Sequence, residues 1–183
     1  MNYFLGAHGT GKSTLVDEIL KINPDYVTME GLSRSLNKGF KEVGFIPNEV
    51  NKQIILNDLS LQLHNFTHKV KNAIATRSLI DQIIYNNVVS PDLDISHLQT
   101  QWEVDSKYTG YIFITPIEFP LILDDARVGL WSDPEVQTRI ELDMGQFLLE
   151  QIDKGFLTHG QVVYLEGSVE QRMETLKRYL PLL

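Results

Sequence analysis

The stretch GAHGTGKS at residues 6–13 follows a short apolar run, NYFL at residues 2–5, and comes directly before a helical apolar pattern. It matches the pattern G-x-x-x-x-G-K-S/T in the strand-to-helix context in which that pattern binds nucleotide phosphates. Its glycines permit backbone with positive φ, so that freed N–H groups and the start of the following helix can face an anion. The stretch therefore predicts a phosphate-binding loop (P-loop) and a bound nucleoside triphosphate.

Individual residues of this loop have distinct expected roles. Lys12 can reach the β- and γ-phosphates, and the Ser13 hydroxyl can bind Mg²⁺. The residues expected to contact the nucleotide are Gly6, His8, Gly9, Thr10, Gly11, Lys12, Ser13 and Thr14. ATP with Mg²⁺ is the expected cofactor, and GTP stays open as the donor. The alternative is a glycine-rich turn without a ligand, which the apolar segments on either side disfavour.

The composition restricts the class of protein. With 183 residues, 43% of them hydrophobic and 22% charged, the sequence suits one folded domain over 1–183. The net charge of −8 argues against a general nucleic-acid binder, although a local basic groove stays open. The absence of cysteine excludes disulfides and a thiolate zinc site, and it is compatible with a reducing cytosol. No apolar run approaches the roughly 18 residues of a membrane span, so we expect a cytoplasmic protein (in the host cytoplasm if it is phage-encoded).

Apolar periodicity predicts strands that alternate with helices. Strands are expected near residues 2–5, 26–29, 72–76, 111–114 and 162–165, and the longer helices near 12–22, 48–71 and from 134 onward. Such alternation predicts right-handed βαβ units, and hence a three-layer α/β fold with a five-stranded parallel sheet and helices on both faces. The expected buried stripes are Leu15, Ile19 and Ile22 on the first helix and Ile55, Leu59, Leu63, Phe66 and Val70 on the long one.

Residues directly after the strands are the site candidates, because ligands of parallel sheets bind at the carboxyl ends of the strands. Glu30 follows the second strand, and Arg34 lies four residues later. Glu30 can orient a substrate hydroxyl or accept its proton, and Arg34 can hold an anionic group. The alternative is an ordinary surface pair one helical turn apart. After the fifth strand, Gly167 and Ser168 are expected beside the nucleotide base, unless Ser168 only caps the next helix.

The third strand is followed by Thr76, Arg77 and, five residues after Thr76, Asp81. A guanidinium suits planar phosphate recognition, which makes Arg77 a candidate catalytic and substrate-binding residue. Asp81 could serve Mg²⁺ or the substrate from the first turn of the next helix. Alternatively, Asp81 is a helix-start carboxylate that the helix dipole favours.

Residues 117–133 are charged and show little periodicity, and we expect a short lid over about 117–139. Phosphoryl transfer needs a closing element that excludes water and supplies positive charge. Arg127 and Arg139 fit that role. The alternative is a solvated loop, with Arg139 as a charge on an exposed helix face.

The histidines give no metal-site pattern. His64 and His68 lie four residues apart on the long helix, a spacing that zinc sites use. The glutamate of the H-E-x-x-H pattern is missing, and no third ligand is evident. We therefore expect both side chains on a solvated face.

These features recur, in this order, in one known group of proteins. The features are the P-loop stretch GAHGTGKSTL, Glu30 with Arg34, Arg77-Ser78 with Asp81, Asp124 or Asp125 with Arg127, then Arg139, and finally Gly167-Ser168 with Arg172. Over its full length the chain resembles the P-loop kinase-like ATPases that group with ribosylnicotinamide kinase domains and small phage nucleotide kinases. Relatives usually carry an acid directly before the Arg-Ser pair, where this chain has Thr76. That difference places more weight on Asp81 and Ser13 as metal ligands.

The resemblance implies three hypotheses about function. In the first, the chain phosphorylates a nucleoside or a (deoxy)nucleoside monophosphate, with Lys12, Glu30, Arg77 and Arg127 in catalysis and Arg34, Asp81 and Arg139 also at the substrate. In the second, it phosphorylates a modified base or an end of phage-type DNA, through a groove of Lys38, Lys41, Lys52, Lys69 and Lys71, which the net charge does not favour. In the third, it is a nucleotide-dependent regulator with slow hydrolysis. A homodimer stays open under all three.

Overall fold

Short strands alternate with helices along the chain, as the periodicity predicts. The computed structural model describes residues 1–29, 36, 39–40, 42–44, 47–67, 70, 72–121 and 129–180. The strands are β1 (Asn2–Leu5), β2 (Val27–Met29), β3 (Ala73–Ala75), β4 (Ile112–Ile114) and β5 (Val162–Tyr164). The helices are α1 (Lys12–Ile22), α2 (Glu49–Thr67), α3 (Leu79–Val89), α4 (Ser96–Asp105), α5 (Pro134–Asp153) and α6 (Val169–Leu176). Within these residues, no helix combines the length and apolar character needed to cross a membrane.

The five strands form one parallel sheet in the order β2-β3-β1-β4-β5. Strand β1 is central: Tyr3 is in register with Ala75 of β3 on one side and with Ile112 of β4 on the other. Residue 6 therefore leaves the middle of the sheet at its carboxyl edge, which is where ligands of open parallel sheets bind.

The two faces of the sheet pack against different helices, because neighbouring residues of a strand point to opposite faces. Tyr3 and Leu5 lie in one buried cluster with side chains of α3, α4 and α5. Phe4 lies in a second cluster, between Ile74 and Phe113 of the adjacent strands and the apolar faces of α1 and α6. The predicted three-layer architecture, with helices on both faces of the sheet, is confirmed.

The expected buried stripe of α1 is wrong at its last residue. Leu15 and Ile19 are buried, together with Val16, but Ile22 is 51% exposed. Ile22 ends the helix and lines an open groove between α1 and α6, where Val169 is also exposed. Helical periodicity places Ile22 on the right face, but it does not show where the neighbouring helix stops covering that face.

The described buried face of α2 is mostly polar, which corrects the expected apolar stripe at Ile55 and Leu59. Ile55 and Leu59 are only half-buried, as is Val70, which packs against the core, and the side chains of Leu63 and Phe66 lie outside the described part of the chain. Among the described side chains of α2, the buried ones are those of Gln53, Leu56, Asn57, Ser60 and His64. The Gln53 amide donates to Asn57 (2.8 Å) and to Gln82 of α3 (3.0 Å), and the Asn57 amide donates to Asn86 of α3 (3.2 Å). Side-chain amides carry both donors and acceptors, so the two helices satisfy each other's hydrogen-bonding groups. This buried face therefore need not be apolar.

His64 is buried rather than solvated, contrary to the expectation. Its side chain is 1% exposed, its Nε2 lies 3.1 Å from the Asp105 carboxylate, and its ring stacks on Tyr3 with a centroid distance of 6.4 Å. The partner on α4 lies far along the chain, so the local pattern gives no sign of it. His68 lies outside the described residues.

Gln53→Met is expected to lower the free energy of unfolding by about 1–3 kcal/mol, because it leaves the buried oxygens of Asn57 and Gln82 without their donor. The control is Gln146→Met on the exposed side of α5, where the amide donates to the exposed Glu150 carboxylate. Urea unfolding of both variants measures the difference. Equal stabilities would show that the buried amide network does not stabilise the fold.

Candidate active site

The P-loop has the backbone conformation that its glycines predict. Gly6, Gly9 and Gly11 have φ values of +146°, +83° and +92°. A Cβ on Gly6 would lie 2.4 Å from the carbonyl oxygen of Thr115, the residue that follows β4. Glycine is thus required at position 6 both by its φ and by the closeness of the neighbouring strand end.

Side chains within the loop brace its backbone. Lys12 is 8% exposed, and its ammonium group donates to the carbonyl oxygens of Gly6 (2.6 Å) and Ala7 (2.7 Å). The Thr10 hydroxyl donates to Ala7 O (3.0 Å) and lies 2.7 Å from the Thr115 hydroxyl. A buried cation therefore lies against the start of the loop, while Ser13 is exposed on the first turn of α1.

Two donors from other helices hold carbonyl groups of the loop. The Gln137 amide of α5 donates to His8 O (2.6 Å), and Arg172 of α6 donates through Nη1 to Thr10 O (2.8 Å). The same guanidinium donates through Nε to Gly167 O (2.9 Å) and forms an ion pair with Glu118 (2.7 Å). These contacts join the P-loop to the turn after β5 and to the segment after β4.

Arg77 and three rings form a row beside the loop. The Arg77 guanidinium carbon lies 4.6 Å from the Tyr85 ring centroid, and the Tyr85 ring lies 5.4 Å from that of Trp131. The Trp131 ring meets His8 of the P-loop edge-on at 5.9 Å, and its indole N–H donates to Glu49 at the start of α2 (3.1 Å). The row places a cation and flat apolar surfaces at the same edge of the sheet as the P-loop.

Asp81 is fully buried and interacts electrostatically with Arg77 and Tyr85 of this row. One carboxylate oxygen accepts from the Ser78 amide (2.7 Å) and hydroxyl (3.0 Å), which caps α3. The other oxygen, Oδ1, has no hydrogen-bond partner among the residues that the structure describes. Burial raises the pKa of Asp81, and the charges of Arg77 and Lys12 oppose that rise. Asp81 is thus the helix-start carboxylate of the alternative interpretation, with one oxygen left for a second role.

Three predicted site residues lie apart from this cluster or serve local structure. The Arg139 side chain is 63% exposed, and its Nε lies 3.7 Å from the Asp143 carboxylate. Because Arg139 follows Gln137 by two residues, the two side chains lie on nearly opposite sides of α5. The Ser168 hydroxyl caps α6, and the Gly167 amide donates to Glu118 (2.8 Å). Their nucleotide or substrate contacts stay predictions.

Other predicted residues fall where the structure gives no description. Glu30, Arg34, Asp124, Asp125 and Arg127 lie outside the described residues. So do four members of the hypothetical basic groove: Lys38, Lys41, Lys69 and Lys71. The fifth, Lys52, lies 3.6 Å from the Glu49 carboxylate.

Sequence reasoning missed Gln137, Trp131 and Glu118. The sequence pattern could have identified Gln137, because it is a polar residue beside Val136 and Ile140 on the buried side of α5. A polar residue on a buried helix face often has a specific structural or functional partner. Trp131 and Glu118 lie in the segment without periodicity, where no pattern identifies them. Arg172 appears in the resemblance, but its hydrogen bond to the P-loop is visible only in the structure.

No protein-family model matches the sequence, and no curated protein matches it. Solved structures do match its fold. NadR protein in complex with NR has a TM-score of 0.65 at 14% identity, over 98% of this chain and 51% of that one. This chain therefore spans about half the length of that protein.

Two further neighbours are covered almost completely. Deoxyadenosine kinase from M. mycoides with the products dCMP and dCDP has a TM-score of 0.61 at 13% identity, over 100% of this chain and 99% of that one. Thymidylate kinase from Ehrlichia chaffeensis has a TM-score of 0.57 at 16% identity, over 97% and 96%. The predicted resemblance is thus confirmed at the level of the fold: this chain has the fold of the P-loop nucleoside and nucleotide kinases.

Proposed function

We propose that this chain is a phosphotransferase that uses ATP and Mg²⁺ to phosphorylate a nucleoside or a (deoxy)nucleoside monophosphate. The observation that carries the proposal is one edge of the sheet, where the P-loop with Lys12 lies next to Arg77 and the rings of Tyr85 and Trp131. A phosphate-binding loop alone supports only the binding of a nucleotide. A second cation beside flat apolar surfaces adds what a nucleoside acceptor requires.

The donor half of the site is the P-loop. Its N–H groups, the start of α1 and the Lys12 ammonium would neutralise the β- and γ-phosphates. ATP is the proposed donor, and GTP is the competitor that the assay includes. Arg127, in the segment before α5, is proposed to add positive charge when a lid closes over the transferred phosphoryl group.

The acceptor is proposed to bind beside Arg77 and Trp131, the half-buried members of the row, which pack on either side of the buried Tyr85 ring. Aromatic rings bind flat heterocycles by stacking, and a guanidinium binds a phosphate or orients a hydroxyl. Glu30 follows Met29, whose carbonyl accepts from the Thr76 amide (3.1 Å) directly before Arg77. Glu30 is therefore proposed to orient the acceptor oxygen and to take its proton.

The residues of this edge suit Mg²⁺ that is held mainly through phosphates and water. The described residues contain no group of three His, Asp or Glu side chains that could hold a metal alone. Mg²⁺ usually keeps several waters and binds through one or two protein oxygens plus substrate phosphates. Ser13 and Oδ1 of Asp81 are the proposed protein oxygens, and the bound ion would shield charge on the phosphate chain.

Purified protein with Mg²⁺ and ATP or GTP is expected to release the nucleoside diphosphate (ADP or GDP) rapidly only when one acceptor class is added. The acceptor panel holds nucleosides, ribosylnicotinamide, deoxynucleoside monophosphates and a DNA duplex with free ends. Stimulation by DNA alone would favour the polymer kinase. If no acceptor raises turnover above slow hydrolysis, the proposal is wrong and a nucleotide-dependent regulator replaces it.

A further inference from the structure

Two carbonyl groups of the P-loop are held from opposite faces of the sheet. Gln137 reaches His8 O from α5, which packs on the Tyr3 face, and Arg172 reaches Thr10 O from α6, which packs on the Phe4 face. Neither donor belongs to the loop, and each lies more than a hundred residues away along the chain.

The orientation of these carbonyl groups decides where the next amides point. In a planar trans peptide, the C=O and the following N–H point in opposite directions. When His8 O faces Gln137 and Thr10 O faces Arg172, the N–H groups of Gly9 and Gly11 must therefore point away from these side chains. Both glycines have left-handed φ, the backbone of the anion-binding concavities that successive N–H groups form.

Both donors are buried, and Arg172 has several partners besides the loop. Gln137 is 3% exposed and Arg172 is 2% exposed. The Arg172 guanidinium is also held by Gly167 O and Glu118, and the Phe119 ring lies 5.5 Å from its centre. Buried side chains with several partners lose little further freedom on binding, which is the requirement for a preorganised electrostatic site.

We propose that Gln137 and Arg172 are positioning residues of the phosphate site. They hold the His8–Gly9 and Thr10–Gly11 peptide groups so that the N–H groups of Gly9 and Gly11 face the phosphate chain. Neither side chain touches the phosphates. The inference rests on the proposed function only in requiring that the loop binds a phosphate chain.

The test compares Gln137→Met, Arg172→Met and Arg172→Lys with two matched controls. Gln151→Met removes another buried glutamine of α5, which accepts from Trp102 far from the loop, and Arg178→Met removes an exposed positive charge near the end of α6. Calorimetry with Mg²⁺ measures the affinity for ATP, for inorganic tripolyphosphate and for adenosine. Steady-state kinetics adds the KM for ATP.

Gln137→Met and Arg172→Met are each expected to weaken the binding of ATP and of tripolyphosphate by about tenfold and to leave the affinity for adenosine unchanged. Tenfold is about the contribution of one hydrogen bond from a loop N–H to a charged phosphate oxygen. The controls should stay within about twofold of the wild type, a difference well under one such bond. Arg172→Lys keeps the charge but not the planar fork, so it should recover only part of the loss. If Arg172→Met fails to fold, Gln137→Met and Arg172→Lys carry the test.

Three results would overturn the inference while the proposed function stands. The first is that the Gln137 and Arg172 variants bind both ligands with unchanged affinity. The second is that they bind ATP more weakly but tripolyphosphate with unchanged affinity, and the third is that Arg172→Lys binds both ligands as tightly as the wild type. The second would assign these residues to the base, and the third would assign the effect to charge alone. Wild-type protein that binds neither ATP nor tripolyphosphate would overturn the proposed function and this inference together.

Discussion

Lys12→Met is expected to lower kcat/KM for ATP by about a hundredfold to a thousandfold, the cost of removing one preorganised charged donor from a transition state. Lys12 is the buried cation of the P-loop, and its ammonium lies against the carbonyls of Gly6 and Ala7. Methionine keeps most of the apolar stem, so the fold should persist. Steady-state turnover with the best acceptor, together with a urea unfolding curve, measures both effects.

The matched control for Lys12 is Lys21→Met on the same helix. Lys21 is exposed and pairs with Glu18 at 2.5 Å, so its removal changes the net charge equally without touching the loop. Turnover of this control should stay close to that of the wild type. A Lys12 variant that keeps turnover within about tenfold, about 1.4 kcal/mol, would contradict the role of this lysine in transfer.

Glu30→Gln is expected to lower kcat by about a hundredfold or more while ATP binds with unchanged affinity. The carboxylate is proposed to take the acceptor proton, which an amide cannot do, and it follows β2, two strands away from the P-loop strand. Single-turnover kinetics gives the transfer rate, and calorimetry gives the affinity for ATP. The control is Glu150→Gln on the exposed side of α5.

The variant at Glu30 also separates the hypotheses about function. A kinase of either a small molecule or a polymer loses transfer in Glu30→Gln. A nucleotide-dependent regulator has no transfer to lose, and its slow hydrolysis should continue unchanged. A parallel loss of ATP affinity would instead place Glu30 at the donor and would contradict its role as the base for the acceptor.

Local sequence patterns predict the architecture and the donor half of the site, because both depend on residues that are close together in the sequence. The P-loop needs glycine, lysine and serine at fixed spacing, and alternating apolar runs predict a parallel sheet with its ligands at one edge. Arg77 could be placed at that edge because it directly follows β3. Local sequence patterns do not specify which face of a helix points toward the site.

Helix α5 shows where this limit lies. Arg139 is a charged residue predicted for the lid, yet it is exposed, and Gln137, two residues earlier, contacts the P-loop. The polar face of α2 is a similar case. Gln53 and His64 look like surface residues until their partners on α3 and α4 are known. Such contacts between residues far apart in the chain depend on the packing of whole helices, which periodicity does not specify.

The most direct test of the proposed function is the fate of the γ-phosphoryl group in the wild-type protein. With γ-labelled ATP, Mg²⁺ and the acceptor that most raises turnover, we expect equal amounts of ADP and labelled acceptor, with little labelled free phosphate. ADP accompanied by an equal amount of free phosphate, with no labelled acceptor from any class in the panel, would contradict phosphoryl transfer by this chain.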